Sequence, residues 1–226
     1  KMYVTGDINN IVYQYTLSTA WDVSTASYDS VSFNLGSQTV NPRGMFFKSD
    51  GTKMYAMGST PSQAVYQYTL STAWDISTAS YASKSFSTST QDTIPESLFL
   101  SSDGTKMYVM GVSNDFVYQY TLSIAWDVST ASYASKSFST SSQEGNVGGM
   151  FFKDDGTKMF LVGTFQDSIF QYTLSTAWDI STVSYDSVSF DISSQDIVPQ
   201  ALFIGSDGTK IYVSGDNTDF IYQYSS

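Results

Sequence analysis

The sequence contains no cysteine and no histidine among its 226 residues. The absence of both excludes a Ser-His-Asp triad, a cysteine nucleophile, a disulfide, an iron–sulfur cluster and the usual kinds of zinc site. Because there is no cysteine, cysteine usage gives no indication of the redox compartment. Any catalytic chemistry would have to rely on carboxylates, hydroxyls, lysines and the single arginine.

Positive charge is scarce as well. Ten Lys and Arg residues stand against 21 Asp and Glu residues, which gives a net charge of −11. Nucleic-acid phosphates and anionic lipids attract clustered cations, so we expect no nucleic-acid partner and no docking on a lipid surface. No apolar run approaches the roughly 18 residues of a membrane helix, so we expect no membrane insertion, and no signal peptide is recognisable. Hydrophobic residues still make up 41% of the chain, enough for a buried core.

An internal repeat dominates the chain. Residues 16–28 read TLSTAWDVSTASY, and nearly the same letters return at 69–81, 121–133 and 173–185. The four tryptophans in these stretches are 53, 52 and 52 residues apart. The tetrapeptide DGTK recurs at the same spacing, beginning at Asp50, Asp103, Asp155 and Asp207. A fixed period of this length indicates an array of one supersecondary unit.

Each unit reads as four short strands, which we name A to D. In the second unit they are predicted at residues 44–48, 53–58, 64–70 and 81–87. The Asp-Gly pair after strand A suits a tight hairpin, and strand C is rich in β-branched and aromatic residues at period two. Four antiparallel strands per unit at this period predict an all-β fold, a β-propeller whose blades bury their faces against one another.

The strand count predicts five blades. The sequence begins with a B strand and ends with a C strand, so the repeat units fall near 1–43, 44–96, 97–148, 149–200 and 201–226 within a single propeller domain, 1–226. A five-bladed ring would then have incomplete first and last blades. Two alternatives stay open: the 226 residues belong to a longer chain, or several chains together close a ring.

A resemblance to known repeats follows from the order of these motifs: a strand, the DGTK turn, a strand such as KMYVMG, and a stretch such as VYQYTLSTAWD at 65–75. This order resembles the YVTN and NHL types of propeller repeat in bacterial extracellular proteins, and more narrowly repeats in hypothetical proteins of marine bacteria and phages. The resemblance covers the whole chain and implies the propeller fold. Lactonases carry YVTN-like repeats, so it also implies a lactonase activity as one expectation. No catalytic residue is transferred, because the chain lacks histidine and has one arginine.

The loops of an antiparallel blade sort onto two faces. The A–B turns and C–D connections share one face and are nearly the same in every copy. The B–C loops (7–10, 59–63, 112–115, 164–168, 216–219) and the D–A loops (39–43, 92–96, 144–148, 196–200) share the other face and differ in every copy. We name this side the variable face. Rigid scaffolds display recognition on loops, which predicts a ligand site there; unconstrained drift of the loops is the alternative.

The candidate ligand-binding residues are polar and aromatic side chains of the variable face. They are Arg43, Asp92, Glu96, Asn114, Asp115, Glu144, Asn146, Phe165, Gln166, Asp167, Asp196, Gln200, Asp216 and Asn217. Their carboxylates and amides suit sugar hydroxyls or a hard cation such as Ca²⁺, although we assign no metal ligands and no other cofactor. The residues that begin the A strands should ring the mouth of the axial channel; they are Arg43, Glu96, Gly148 and Gln200.

The repeated tryptophans have two interpretations. They are Trp21, Trp74, Trp126 and Trp178. One per blade would give a set of glycan-stacking platforms. Alternatively, each fills the seam between two blades while the following Asp caps a turn, and the nearly constant flanking residues favour this interpretation. The glutamines before the D–A loops (Gln38, Gln91, Gln143 and Gln195) are interpreted as loop-closing hydrogen-bonding residues.

These observations predict a non-catalytic binding or adhesion module, located outside the cell, on a cell surface or on a virion, with a glycan or a protein as partner. A structural or engineered symmetric scaffold without a ligand is one alternative, and self-association by blade completion would accompany it. A carboxylate-dependent glycosidase or lyase is another. Near-identical blades leave little room for one specialised acid and one specialised base, which argues against an enzyme.

Overall fold

The computed structural model describes residues 1–6, 8–59 and 61–225. Within these residues the chain forms five antiparallel sheets, which are the blades of a β-propeller. Blades 2, 3 and 4 have four strands each, and blades 1 and 5 have three. The prediction of a five-bladed propeller with incomplete first and last blades is confirmed.

The strands follow the order A to D in each blade. Blade 1 supplies B, C and D as β1 (Met2–Thr5), β2 (Ile11–Leu17) and β3 (Ala26–Asn34). Blade 2 consists of β4 (Pro42–Phe47), β5 (Lys53–Gly58), β6 (Ala64–Leu70) and β7 (Ala79–Ser87). Blade 3 consists of β8 (Pro95–Leu100), β9 (Lys106–Gly111), β10 (Phe116–Leu122) and β11 (Ala131–Ser139). Blade 4 consists of β12 (Val147–Phe152), β13 (Lys158–Gly163), β14 (Ser168–Leu174) and β15 (Val183–Asp191). Blade 5 supplies A, B and C as β16 (Pro199–Ile204), β17 (Lys210–Gly215) and β18 (Ile221–Ser225).

Each D strand carries a β-bulge that the sequence pattern did not reveal. Its pairing with strand C shifts register between a glutamine and the following tyrosine, for example between Gln67 and Tyr68. The bulged residue is a serine with positive φ, between 56° and 58°, at Ser30, Ser83, Ser135 and Ser187. A bulge bends a strand and increases its twist. No glycine marks the position, which is why sequence reasoning missed it.

The C–D connections fold into short 3-10 turns at Val23–Thr25, Ile76–Thr78, Val128–Thr130 and Ile180–Thr182. The aspartate of each Trp-Asp pair caps its turn; Asp75 Oδ1, for instance, accepts hydrogen bonds from the amide and hydroxyl of Ser77 at 3.0 and 2.6 Å. This is the capping role that the sequence predicted. Among the described residues, no helix has the length and apolar character needed to span a membrane.

The hydrophobic core lies in the interfaces between blades. Tyr55, Tyr108 and Phe152 are completely buried, and side chains of successive blades share each apolar cluster. The A strands of neighbouring blades contact one another in the series β4–β8–β12–β16, while each D strand of blades 1 to 3 contacts the 3-10 turn of the next blade. The blades therefore radiate from an axis lined by A strands.

The ring closes within one chain, because blade 5 contacts blade 1. The hydroxyl of Tyr212 donates a hydrogen bond of 2.6 Å to the carbonyl of Trp21. The amide of Val23 donates one of 2.9 Å to Gln223 Oε1. Both bonds repeat those between other neighbouring blades, such as Tyr108 to Trp178 at 2.6 Å.

Candidate functional site

A cavity of about 450 Å³ opens on the variable face near the axis. It is bounded by β1 and β2 of blade 1, by the first residues of β4, β8 and β16, and by the B–C loops of blades 1 and 5. Arg43, Glu96 and Gln200 line it together. Their convergence follows from their place at the start of the A strands, as their position in the repeat predicts.

The polar groups of this axial cavity are paired with one another. Arg43 Nη1 lies 3.6 Å from Glu96 Oε2, and the Glu96 side chain is only 10% exposed. Gln200 Nε2 donates a hydrogen bond of 3.4 Å to Asp216 Oδ2. A ligand entering the cavity would therefore meet an ion pair and an amide–carboxylate pair that both donate and accept hydrogen bonds.

Gly148 is the fourth residue expected at the channel mouth, and it is excluded from the cavity lining by close packing. A Cβ at this position would lie 2.6 Å from the carbonyl oxygen of Pro199 and 2.8 Å from Gln200 Cα. Strands β12 and β16 approach so closely there that a side chain would force them apart. The residue serves the contact between blades 4 and 5.

Three of the candidate carboxylates are buried in the loops they were expected to display. Asp92, Glu144 and Asp196 are at most 1% exposed. Glu144 accepts hydrogen bonds from the amides of Asn146, Phe165 and Gln166 at 2.8 to 3.0 Å. Asp196 accepts hydrogen bonds from the amide and hydroxyl of Thr218 at 3.3 and 2.7 Å, so Glu144 and Asp196 each tie a D–A loop to the B–C loop of the following blade. This corrects their assignment as ligand contacts, because burial and loop bonding hold them away from the surface.

The buried carboxylates also explain the glycine that ends strand B in blades 3, 4 and 5. A Cβ at Gly163 would lie 2.4 Å from Glu144 Cγ, and one at Gly111 would lie 2.3 Å from Asp92 Cγ. Burial raises the pKa of Asp92, against the opposing effect of hydrogen bonds from Ile94, Ser113 and Asn114. The structural demand of a buried carboxylate therefore accounts for two recurrent residue types at once.

The remaining loop candidates divide into turn formers and exposed tips. Asp115 and Asp167 adopt positive φ (57° and 48°), a conformation that Asp and Asn tolerate better than most residues. Asn114 Nδ2 donates a hydrogen bond of 3.0 Å to the carbonyl of Gln91, and Asn146 Nδ2 donates one of 2.6 Å to Thr164 Oγ1. The exposed side chains are Asn114, Asn146, Phe165, Gln166, Asp216 and Asn217. Two members of these loops, Asp7 and Thr60, lie outside the described residues.

Sequence reasoning missed a set of apolar side chains at the tips of the variable loops. They are exposed by 44% to 95% of their area and comprise Ile8, Val40, Ile94, Phe165, Ile197 and Phe220, of which only Phe165 was selected. The available signal was a hydrophobic residue inside an otherwise polar loop. Ile8 and Phe220 line the axial cavity, and the other four lie in loops of the same face; we name the six residues the apolar rim.

The tryptophans lie in the seams between blades, on the opposite side from the variable face. Their backbone is in the left-handed region, with φ between 63° and 66°. The amide of Trp126 donates a hydrogen bond of 2.9 Å to the carbonyl of Gly104, and its own carbonyl accepts one of 2.9 Å from the hydroxyl of Tyr55. Its indole stacks near Phe46 of the preceding blade, at a centroid distance of 6.5 Å. These contacts support seam packing for Trp21, Trp74, Trp126 and Trp178.

The acidic residues do not assemble a metal centre in the part of the chain that the structure describes. No group of three or more Asp or Glu side chains is placed there to hold an ion together. The recurrent glutamines act partly as expected: Gln38, Gln91 and Gln195 each accept a hydrogen bond from a tyrosine hydroxyl at 3.3 to 3.4 Å.

Similarity to solved structures is at the level of fold. A chain in the nidogen/laminin complex matches with a TM-score of 0.58 at 11% identity, over 99% of this chain and 72% of that one. The periplasmic gluconolactonase PpgL of Pseudomonas aeruginosa matches with a TM-score of 0.57 at 14% identity, over 95% of this chain and 60% of that one. The β-propeller domain of Cps50 (Swd1) from Myceliophteria thermophila matches with a TM-score of 0.50 at 11% identity, over 82% and 54%.

These similarities support a propeller repeat protein and leave its activity undetermined. Structures of such low identity share the fold, and propellers carry many unrelated functions. The chain spans less than two thirds of the gluconolactonase structure and of the Swd1 domain. The structural comparisons do not support the narrower resemblance to marine and phage repeats. No protein-family model matches the sequence, and comparison with curated proteins gives no match.

Proposed function

We propose that the chain is a non-catalytic binding module that holds a protein partner on the variable face. The observation that carries this proposal is the apolar rim on the variable face. Phe165, Phe220 and Ile8 are 71%, 64% and 95% exposed, and Ile8 and Phe220 lie together at the axial cavity. Clustered exposed apolar groups around polar ones are typical of protein–protein interfaces.

The centre of the face complements this rim. The Arg43–Glu96 ion pair and the Gln200–Asp216 contact offer donors and acceptors within a concave site. A partner that projects a polar or charged side chain into the cavity would gain orientation from these groups. Its surrounding apolar surface would cover the rim. Aromatic and aliphatic anchors around a polar centre suit protein better than sugar, so we favour a protein over a glycan.

The carboxylate chemistry of a glycosidase receives no support from the site. The D–A carboxylates bond to backbone amides, and Glu96 is paired with Arg43 in the axial cavity. A general acid and base must reach the substrate and must not be committed to holding loops together. An extracellular, cell-surface or virion-associated location belongs to this proposal and rests on the acidic composition of the sequence.

The test removes the rim and leaves the scaffold intact. A triple variant, Phe165→Ser with Ile197→Ser and Phe220→Ser, changes only exposed loop tips. The matched control is Ile124→Ser, which removes a 60% exposed apolar side chain from the other face. Both are compared with the parent in cross-linking capture from an extract of the source cells and on a glycan array, after thermal melting shows that folding is unaffected.

Proteins captured by the parent and the control, but lost with the triple variant, are the expected result. Equal capture by all three would contradict the proposal, because the rim would then play no part. Saturable binding to a glycan that survives the triple substitution would also contradict it and would return the glycan prediction to first place.

A further inference from the structure

Charge is divided unevenly between the two faces of the propeller. The described residues of the B–C and D–A loops hold eight carboxylates and one cation, Arg43, which gives them a net charge of −7. The carboxylates are those of Asp92, Glu96, Asp115, Glu144, Asp167, Asp196, Asp216 and Asp219. The rest of the chain has 12 carboxylates and nine lysines, which gives a net charge of −3; the count leaves out Asp7, which lies outside the described residues. Most of the negative charge therefore belongs to the variable face.

The lysines neutralise the other parts of the molecule. Lys153 Nζ lies 2.7 Å from Asp155 Oδ2 at the A–B turn of blade 4, and Lys136 Nζ lies 2.6 Å from Asp179 Oδ2 across a seam. The sequence of the variable loops contains no lysine, so Arg43 is the one cation among their described residues. Six of the nine lysines flank the A–B turns on the opposite face; they are Lys48, Lys53, Lys106, Lys153, Lys158 and Lys210.

The carboxylates of the variable face act on one another. Burial raises the pKa of the Asp167 carboxyl, and the charges of Asp191 and Asp196 raise it further. Asp167 belongs to a B–C loop, Asp191 ends β15 and Asp196 belongs to the D–A loop that follows. Carboxylates close enough to raise one another's pKa attract a cation from outside the molecule.

Exposed apolar side chains stand among these carboxylates. Phe165 lies two residues before Asp167 in the same B–C loop, and Ile197 directly follows Asp196. A ligand that covers the apolar rim must therefore come close to the carboxylates. A small cation would leave the apolar side chains exposed to water, whereas a protein segment can cover them and carry cations as well.

We propose that the partner held on the variable face is a basic protein segment, whose Lys or Arg side chains face the loop carboxylates and whose apolar side chains cover the apolar rim. It rests on the proposed function, because it names the chemistry of the partner that this face holds. Lys and Arg suit this place since their aliphatic stems pack on apolar groups while their charged ends stay with the carboxylates. Opposite charge across the interface would speed encounter and exclude acidic partners.

The probe for the experiment is a phage-displayed library of random dodecapeptides, selected on the whole chain at low salt. Enriched peptides are synthesised with a fluorescent label, and their dissociation constants are measured by anisotropy. We expect the enriched peptides to carry an excess of Lys and Arg together with aromatic or aliphatic residues. Their binding should weaken as the salt concentration rises, because salt screens exposed charges.

Two charge variants of equal size show where the peptides bind. The first neutralises three exposed carboxylates of the variable face, and the control neutralises three exposed carboxylates of the A–B turns. We expect the first to weaken peptide binding at least fivefold and the control less than twofold, since exposed ion pairs each contribute little and three act together. Equal melting temperatures of the two variants show that both fold. The first is Asp191→Asn with Asp216→Asn and Asp219→Asn; the control is Asp103→Asn with Asp154→Asn and Asp207→Asn.

The outcomes separate the basic partner from the proposed function. Peptides without an excess of Lys and Arg, whose binding is lost with the Phe165, Ile197 and Phe220 substitutions, would contradict the basic partner and leave the proposed function standing. No enriched peptide, or none that those substitutions weaken, would contradict both. Basic peptides that the two charge variants weaken equally would reveal a general attraction to an acidic chain and overturn the proposal. Unchanged binding after serine replaces the apolar residues of a peptide would also overturn it, because the ligand would then be purely cationic.

Discussion

The seam between blades 3 and 4 and the seam between blades 4 and 5 are built from the same repeat, yet they hold together differently. In the first, Trp178 packs on Gly156 and its carbonyl accepts a hydrogen bond from Tyr108. In the second, a cavity of about 260 Å³ lined by Phe151, Phe160 and Ile211 lies in the equivalent space, and Phe160 takes the place of the tyrosine. The comparison teaches that the nearly constant C–D connection serves the contact between blades, which is why it varies so little within the array.

The largest expected effect comes from adding a side chain to an A–B turn against which a tryptophan already packs. Gly104 has φ +71°, and a Cβ there would lie 2.3 Å from the indole of Trp126. We expect Gly104→Val to destabilise the fold by about 2–5 kcal/mol, since left-handed strain and overpacking add. Gly208→Val has the strain without the clash and should lose about 1–2 kcal/mol. Equal losses in chemical denaturation would show that the indole contact contributes nothing.

Removing the indole of Trp126 should open a space in the seam between blades 2 and 3 like the cavity in the seam between blades 4 and 5. We expect Trp126→Ala to lower the free energy of unfolding by about 2–4 kcal/mol, somewhat less than for a fully buried tryptophan. Ile124→Ala, two residues away and 60% exposed, serves as the control and should change stability by less than about 0.5 kcal/mol. A near-zero effect of Trp126→Ala in urea unfolding would reinstate the tryptophans as surface platforms.

A smaller effect follows from the hydroxyl that distinguishes tyrosine from phenylalanine at the two seams. Tyr108→Phe removes the donor to the carbonyl of Trp178 and should cost about 1 kcal/mol. Phe160→Tyr makes the reverse change beside the cavity between blades 4 and 5 and should change stability by less than about 0.5 kcal/mol. Thermal unfolding of the two single variants measures both. A loss at Phe160→Tyr as large as that at Tyr108→Phe would mean that the two seams do not differ in this contact.

The architecture could be predicted from the sequence because the same pattern of strands and turns occurs four times along the chain. The Asp-Gly turn, the alternating pattern of strand C and the 52-residue period each carry a local physical signal, and together they define blades. The bulge at Ser83 carries no such signal, because serine at φ 56° is imposed by the pairing of β6 with β7. Tertiary pairing of this kind cannot be inferred from residue type.

The site was predicted less well than the fold. Position in the repeat correctly brought Arg43, Glu96 and Gln200 to the axial cavity. Residue type misled at Glu144, since a carboxylate in a variable loop suggested ligand contact. One of its amide partners, Asn146, lies two residues further along the chain. The other two, Phe165 and Gln166, lie in the B–C loop of blade 4, which only folding brings close to Glu144. Burial of a charge that is satisfied by backbone amides leaves no trace in composition.

The smallest effect concerns the ion pair that one seam has and the other lacks. Lys136 donates to Asp179, and this bond, with those from Ser181, lowers the pKa of the Asp179 carboxyl. The equivalent of Lys136 before blade 5 is Val188. A carboxyl with a lowered folded pKa contributes stability above its unfolded pKa of about 4, and this contribution is lost as the pH falls through the folded value.

Lys136→Met should therefore cost less than about 1 kcal/mol at pH 7, because both partners are partly exposed. The variant should also lose less stability than the parent between pH 7 and about pH 3, measured by urea unfolding at each pH. Val188→Met supplies a matched control at the seam that has no ion pair, and its acid dependence should equal that of the parent. If Lys136→Met kept the full acid dependence of the parent, the ion pair would contribute nothing to the seam, and the two seams would differ only in their aromatic contacts.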